Sequence, residues 1–260
     1  MRSGFLTKPA SAYKMNRYQK RKERFIRKEM ASKYTTLLFD VDNTLLNFDV
    51  DEKNALKKTL EEIGAPTEEE ILRLYSGINA GLWRQFEKGE VTKEELKNIR
   101  FKRLFEEIGF PCPVSSREIN DRYLAHLGEG GVLVDGAEET VKTLFEKGYR
   151  IYIVTNGVEH TQKRRLSRSG LDRYIIDSFV SERIGTQKPF KAYFDFVFDN
   201  IEEKDRSKLL LIGDSLGSDI KGALDAGIDC VWYNPKGTVN TICGDPAYEI
   251  TDIRDLLRLL

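Results

Sequence analysis

The chain has 260 residues, of which 40% are hydrophobic and 32% charged, and its formal net charge is zero. This balance provides material for one large domain or two smaller ones. It has no apolar run of the 18 or more residues that a transmembrane helix requires. With only two histidines, a His-based metal site or a Ser-His-Asp triad is poorly supplied. The three cysteines form no CxxC pair, so we expect reduced thiols and a cytoplasmic location rather than a disulfide or zinc framework.

Basic side chains are concentrated at the start of the chain. Residues 1–33 carry eleven Lys or Arg and two acids, which leaves the remainder with a net charge of −9. We interpret residues 1–32 as a disordered basic leader and favour an extension without function, because Met30-Ala31-Ser32 resembles a natural protein start. A nucleic-acid or membrane-surface tail and an organelle transit peptide remain alternatives. The segment lacks the apolar stretch of a secretion signal.

A short apolar run at residues 35–39 predicts a buried parallel strand that ends at Asp40. A long stretch of helical periodicity follows it, over residues 49–127. Its first helix is predicted around residues 54–60, and capping-box patterns at Thr67 and Thr92 open the second and third. A fourth is predicted at residues 116–127. We interpret residues 49–127, called the helical insertion below, as a cap domain.

Helices and strands alternate from residue 130 onward. The pattern predicts helices at residues 137–146, 159–169, 192–200 and 218–226, and strands at residues 149–154, 178–180, 209–212 and 230–233. Such alternation is typical of a parallel sheet with helices on both faces. The predicted fold class is therefore α/β, with a Rossmann-like core formed by residues 33–48 and 128–260 and an inserted helical cap.

Four short motifs follow predicted strands, where open α/β sheets bind ligands. The first is Asp40-Val41-Asp42. Two carboxylates so close together repel each other, and a divalent cation such as Mg²⁺ would offset that repulsion. One could then attack a phosphorus atom while the other transfers protons to and from the reacting oxygens. The alternative is a plain Asx turn at the end of the strand.

The second motif is Thr155-Asn156-Gly157, where a hydroxyl and the N–H groups of a tight turn suit a phosphate oxygen. A simple helix N-cap is the alternative. The third is Lys188-Pro189, because a lysine held beside a proline can neutralise developing phosphoryl charge. An isolated lysine, however, is usually only a solvated surface residue.

The fourth motif places Asp214 after a glycine turn, with Asp219 five residues further on. Asp214 suits direct contact with the cation, and Asp219 suits a supporting role towards Lys188 or the loop. The alternative is a turn followed by a helix cap.

The order and spacing of the four motifs resemble the haloacid dehalogenase superfamily, from about residue 33 to the C-terminus. The resemblance implies that Asp40 is the nucleophile and that Asp42 is the general acid/base. It also implies that the backbone carbonyl of Asp42 binds Mg²⁺. It also implies that Thr155 and Lys188 hold the phosphoryl group and that Asp214, supported by Asp219, binds the metal. Dehalogenases of this superfamily lack an acid at the position of Asp42, so phosphate chemistry is favoured, while a phosphomutase remains an alternative.

Within the helical insertion, the run from Tyr75 to Phe101 resembles the cap of bacterial pyrimidine 5′-nucleotidases. Trp83 or Phe86 could stack on a base, Asn79 could bind its edge, and Arg84 or Arg100 could meet phosphate or sugar. The alternative is that these residues belong to the core of the cap, since the apolar ones recur at helical spacing.

We therefore predict a magnesium-dependent phosphomonoester hydrolase that forms an aspartyl-phosphate and acts on a nucleoside 5′-monophosphate, most readily a pyrimidine nucleotide. A sugar-phosphate or phosphoglycolate phosphatase is the nearest alternative. Nucleic-acid binding through the basic leader is an alternative of another class, although we expect neither nucleic acid nor membrane as a partner. The oligomeric state is left open between monomer and dimer.

Overall fold

The structure is a computed structural model that describes residues 33–242 and 244–260. The predicted basic leader at residues 1–32 lies outside the described residues, as does Cys243. Among the described residues, no helix is both long enough and apolar enough to cross a membrane.

The described residues form one sheet of six parallel strands in the order β3-β2-β1-β4-β5-β6. The first strand lies in the middle because its four residues are all buried and need neighbours on both sides. The strands are β1 (Thr36–Phe39), β2 (Arg150–Thr155), β3 (Asp177–Val180), β4 (Leu209–Gly213), β5 (Asp229–Tyr233) and β6 (Tyr248–Ile250).

Helices cover both faces of this sheet and form the insertion after its first strand. Those of the helical insertion are α1 (Phe48–Glu62), α2 (Glu69–Glu87), α3 (Lys93–Ile108) and α4 (Ser116–Leu127). Those around the sheet are α5 (Ala137–Glu146), α6 (Glu159–Ser169), α7 (Ser181–Ile184), α8 (Lys191–Asn200), α9 (Lys221–Ala226) and α10 (Leu256–Leu259). The predicted α/β class is confirmed.

Side chains alternate between two hydrophobic layers along each strand, as the pleat of a sheet requires. Leu37 and Phe39 belong to the layer beneath α5, whereas Leu38 belongs to the layer that contains Phe194 and Trp232. Both layers are closed to solvent, so the polar residues at the strand ends are held by a rigid scaffold.

The helical insertion has a hydrophobic core of its own. Tyr75, Phe101 and Tyr123 are fully buried there, with ring centroids 5.0 to 5.5 Å apart. The chain crosses between sheet and insertion twice, and the two crossings are hydrogen-bonded, since Asn47 N–H donates to Val132 O at 2.7 Å. The insertion is therefore attached to the sheet through one paired connection.

Most predicted elements are present within a few residues of their predicted bounds. The capping box at Thr92 is confirmed, but the one at Thr67 is wrong: α2 begins at Glu69, and its N-cap Glu68 makes no side-chain capping bond. The helix predicted from residue 218 begins instead with a π-helical turn, Leu216–Ile220. Strand β6 was not predicted, because it has only three residues and one is buried.

Candidate active site

The predicted motif residues meet at the carboxyl edge of the sheet. Asp40 follows β1, Thr155 ends β2, and Asp214 follows β4. Strands β2 and β4 are the two neighbours of β1, and all three run parallel. Their carboxyl ends therefore lie side by side, which brings Asp40 next to residues that follow it by more than a hundred positions in sequence.

Lys188 is buried among these strand ends and is 1% exposed. Its Nζ donates to Asp40 Oδ1 at 2.7 Å, to Asp219 Oδ1 at 2.6 Å and to the Val154 carbonyl at 2.8 Å. Burial alone would lower the pKa of this ammonium group, but the charges of Asp219 and Asp40 outweigh burial and raise it. Lys188 is therefore a fixed cation at the predicted nucleophile.

Asp219 is held in place by the turn that follows β4. Its Oδ2 accepts the Ser215 N–H at 3.1 Å, while its other oxygen binds Lys188. A Cβ on Gly213 would lie only 2.4 Å from the Asp219 carboxyl carbon, so only glycine allows this approach. Gly213, the glycine of the fourth motif, therefore allows both the turn and the close approach of the Asp219 carboxylate.

Three carboxylates form a cluster at this edge. One oxygen from each of Asp40, Asp214 and Asp219 lies within 4.8 Å of the others. Burial raises the pKa of Asp40 to about 8, and the charges of Asp219 and Asp42 add to this effect while Lys188 opposes it. Burial, with Asp40 and Asp219, likewise raises the pKa of Asp214. Hard oxygen donors with excess negative charge fit a divalent cation such as Mg²⁺.

The side chain of Asp42 lies apart from this cluster and faces α6. Its Oδ2 accepts from Gln162 Nε2 at 2.7 Å, and its Oδ1 accepts from Arg165 Nη1. Both donors are buried, whereas the Asp42 side chain is 30% exposed. Sequence reasoning missed Gln162 and Arg165, because a polar residue inside a predicted surface helix gives no signal of where it points.

The second motif is organised by its side chains as much as by its backbone. Thr155 Oγ1 accepts from Gln162 Nε2 and from the Gly157 N–H, each at 3.0 Å. The Asn156 side chain accepts the Lys188 N–H at 2.9 Å and donates to the Lys188 carbonyl at 3.0 Å. Asn156 therefore holds the backbone of Lys188.

A narrow cavity of about 30 Å³ lies between the helical insertion and the sheet, beside Asp42. Trp83 and Arg100 line it, as does Phe48. A cavity needs about 10–15 Å³ to hold a single water molecule, so this one is far too small for a nucleoside. An open cleft of about 400 Å³ is lined in part by Asp214 and Asn43.

Three of the predicted cap residues do not line this cavity. Asn79 is 1% exposed, donates to Glu52 Oε1 at 2.7 Å and accepts from Arg100 Nη1 at 3.3 Å. It belongs to a buried polar network inside the insertion. Arg84 is exposed on α2. Phe86 is buried in the hydrophobic core of the insertion. Of the five predicted cap residues, Trp83 and Arg100 are therefore the two that reach the space next to Asp42.

Sequence reasoning also missed a direct contact between the insertion and the second motif. Lys93, at the start of α3, donates to the carbonyls of Asn156 and Gly157 at 2.8 and 2.9 Å and to Ser181 Oγ at 2.7 Å. Lys97, one turn further on, forms an ion pair of 2.7 Å with Glu182. Helix α3 therefore rests on the loop that follows β2.

A parallel sheet whose carboxyl edge carries acidic residues and a buried lysine is typical of α/β enzymes, which hold their reacting groups at the ends of strands. The chain belongs to the haloacid dehalogenase-like hydrolase family, whose model matches residues 37–233. The family resemblance proposed from the motifs is confirmed, and the protein is a phosphatase of this family.

Three relatives cover nearly all of the described chain. YfnB of Bacillus subtilis, named as a HAD-hydrolase without a substrate, is 42% identical over 228 residues, or 88% of this chain and 96% of YfnB. The pyrimidine 5′-nucleotidase PynA of Streptococcus pneumoniae is 38% identical, covering 87% of this chain and 95% of PynA. The pyrimidine 5′-nucleotidase YjjG of Escherichia coli is 28% identical, covering 88% of this chain and 98% of YjjG.

The fold has a solved counterpart in one of these relatives. The crystal structure of YfnB bound to magnesium, which reveals interdomain movement, superimposes with a TM-score of 0.81 at 41% identity. The match covers 87% of this chain and 98% of that chain.

Proposed function

We propose that this phosphatase hydrolyses nucleoside 5′-monophosphates, with a preference for pyrimidine nucleotides, through an aspartyl-phosphate on Asp40 and with Mg²⁺ as its cofactor. The observation that carries the chemistry is Lys188, buried in contact with both Asp40 and Asp219. The pyrimidine preference is supported by the similarity to PynA and YjjG over almost the whole chain.

Asp40, Asp214 and the backbone carbonyl of Asp42 would hold Mg²⁺, with Asp219 in support. The close carboxylate oxygens of Asp40, Asp214 and Asp219 support this assignment, since they carry more negative charge than Lys188 alone neutralises. When bound, Mg²⁺ would neutralise charge on the phosphoryl oxygens.

In the first step, an oxygen of Asp40 attacks the phosphorus atom and the bond to the leaving oxygen breaks. Lys188 holds a positive charge at 2.7 Å from the nucleophile and stabilises the phosphoryl oxygens as they approach. Thr155 and the N–H group of Asn156 bind the same oxygens at the end of β2, whereas the Gly157 N–H is already donated to Thr155 Oγ1. This turn is preorganised, because the contact between Asn156 and Lys188 fixes both motifs together.

Asp42 gives a proton to the leaving oxygen and then takes one from the water that hydrolyses the aspartyl-phosphate. The leaving nucleoside must therefore lie on the Asp42 side of the site, which is the side of the narrow cavity. Its aromatic lining, Phe48 and Trp83, suits a base, and Arg100 suits a polar group of the nucleoside. Because that cavity is small, we propose that residues 49–127 act as a cap that separates from the sheet to admit substrate.

Turnover against a panel of phosphomonoesters tests this proposal. We expect UMP and dTMP to give a higher kcat/KM than AMP, phosphoglycolate and sugar phosphates, with activity that depends on Mg²⁺. A matched pair of variants, Trp83→Ala in the cavity and Arg84→Ala on the exposed face, separates recognition from surface effects. Loss of the pyrimidine preference in Trp83→Ala alone supports the assignment; a preference for sugar phosphates or phosphoglycolate contradicts it.

The other predictions stand apart from this site. Nucleic-acid binding by the basic leader stays an alternative, the cytoplasmic location stays a prediction, and the oligomeric state stays between monomer and dimer. Deleting residues 1–29 and measuring RNA and DNA binding as a function of salt concentration tests the first of these.

A further inference from the structure

A buried arginine joins the proposed acid/base to the base of the helical insertion. Arg165 lies on α6 and is completely buried. Its Nη1 donates to Asp42, while its Nε and Nη2 donate to Asp51 Oδ2 at 3.0 and 2.9 Å. The side chains of Arg165 and Asp51 are each 1% exposed, and the proposed function uses neither residue.

The planar guanidinium group of Arg165 donates to two carboxylates at once. One edge faces the Asp42 carboxylate and the other faces Asp51, an arrangement that the single ammonium of a lysine cannot reproduce. Burial alone would lower the pKa of Arg165, but Asp42 and Asp51 raise it. Arg165 therefore keeps its protons while a neighbouring group exchanges one.

Asp51 is itself fixed where the chain crosses between sheet and insertion. Its carboxylate accepts the Gly131 N–H at 2.9 Å and the Val132 N–H at 3.3 Å. A Cβ on Gly130 would come within 2.5 Å of the Asp51 carboxyl carbon, so the second crossing must approach this side chain without one. The position of Asp51 therefore depends on both crossings.

Gln162, one turn before Arg165, completes the set of donors to Asp42. Its Nε2 reaches Asp42 Oδ2 at 2.7 Å and Thr155 Oγ1 at 3.0 Å, and its Oε1 accepts from Arg165 Nη1 at 2.9 Å. A Cβ on Gly157 would lie 2.5 Å from Gln162 Nε2, so the glycine leaves room for this bridge. Each oxygen of Asp42 thus has its own donor from α6.

We propose that Arg165, anchored by Asp51, is a positioning residue that holds Asp42 where it can exchange a proton with the leaving oxygen. The anchor lies at the crossings, so the position of Asp42 follows the orientation of the helical insertion. This inference rests on the proposed function, because it takes Asp42 as the group that transfers the proton. Arg165 forms and breaks no covalent bond in either step.

A misplaced Asp42 has an effect that depends on the leaving group. The alkoxide of a nucleoside or glycerol phosphate needs a proton as its bond to phosphorus breaks, whereas p-nitrophenolate leaves without one. Formation of the aspartyl-phosphate should therefore slow only for alkyl phosphates. Its hydrolysis should slow for every substrate, because Asp42 also activates the water.

The experiment compares Arg165→Met with Arg168→Met, which removes an exposed arginine from the same helix. The first turnover is followed by rapid quench with UMP and glycerol 3-phosphate, and by absorbance with p-nitrophenyl phosphate. We expect Arg165→Met to lower the first-step rate about a hundredfold or more for the alkyl phosphates, the size of a lost general acid. With p-nitrophenyl phosphate we expect a near-normal first turnover, seen as a burst, and the control should match the unaltered protein.

An equal loss of first-step rate with all three substrates, or no loss, would overturn the proposal. A purely structural role would lower that rate equally for the alkyl phosphates and for p-nitrophenyl phosphate. If Arg165→Met does not fold, Arg165→Lys and Asp51→Asn decide, because each keeps the buried site polar and is expected to show the same split to a smaller degree. Failure of the proposed function is a separate result: the unaltered protein would release no phosphate from any of these esters, or Asp40→Asn would retain turnover.

Discussion

Lys188 Nζ lies 2.7 Å from Asp40 Oδ1, which makes the proposed nucleophile one half of a buried ion pair. Both residues are less than a tenth exposed, and the lysine also binds Asp219. One cation therefore serves two neighbouring carboxylates, and the remaining negative charge is the physical reason to expect a bound metal ion.

Replacing Asp40 by Asn should leave the fold intact and lower phosphatase activity by several orders of magnitude. The amide has nearly the same shape as the carboxylate but cannot attack phosphorus. Steady-state turnover of p-nitrophenyl phosphate with Mg²⁺ measures the loss, and thermal unfolding checks the fold. Retained turnover in a variant free of unaltered protein would contradict the assignment of Asp40.

Replacing Lys188 by Met should destabilise the protein as well as inactivate it. The change leaves Asp40 and Asp219 buried without their shared cation, and breaking a buried pair in this way costs about 3–5 kcal/mol. Urea unfolding measures the change in the free energy of unfolding.

The double variant Lys188→Met/Asp219→Asn is the control for this explanation. It removes one of the two unpaired charges, so it should recover part of the stability and none of the activity. A double variant no more stable than Lys188→Met would mean that charge burial is not the cause.

Adding Mg²⁺ should raise the melting temperature, because a ligand that binds only the folded state stabilises it. At a hundred times its Kd the gain is about 2.7 kcal/mol, which corresponds to several degrees for a chain of this length. Asp214→Asn should abolish most of the rise. Equal rises in both proteins, or a rise reproduced by NaCl of the same ionic strength, would argue against a specific site.

Glu87, which ends α2 near Gly217, should make stability depend on pH. Burial raises the pKa of Glu87 from 4.5 to about 7, with the charge of Asp219 adding to this effect while Ser218, Lys188 and Arg84 oppose it. The folded state therefore binds this proton more tightly than the unfolded state, so its contribution is full below about pH 4.5 and is lost as pH rises through about 7.

A variant that cannot titrate at position 87 should differ from the unaltered protein mainly at high pH. In EDTA, Glu87→Gln should have a higher melting temperature than the unaltered protein at pH 8, and the difference in melting temperature should shrink at pH 5. The exposed neighbour Glu90→Gln is the control and should show no such change. A Glu87→Gln gap of the same size at both pH values would mean that Glu87 is not the group responsible.

Much of the fold was readable from local pattern. The apolar run of β1, the β/α alternation and the capping box at Thr92 each depend on neighbours a few residues away, and each is present. Local pattern did not predict β6, which is short and weakly buried. It also predicted the wrong N-cap for α2, which begins at Glu69 rather than directly after Thr67.

The sequence alone determined the family and the identity of the motif residues, because their order after successive strands is a local property of the chain. Tertiary structure decided which side chains face them. Arg165 binds Asp42, Asn156 holds Lys188, and Lys93 rests on the loop after β2. These partners come from other helices and strands whose register and crossing are set by packing. Periodicity can place such a residue on a face, but only the assembled layers bring that face against a particular carboxylate.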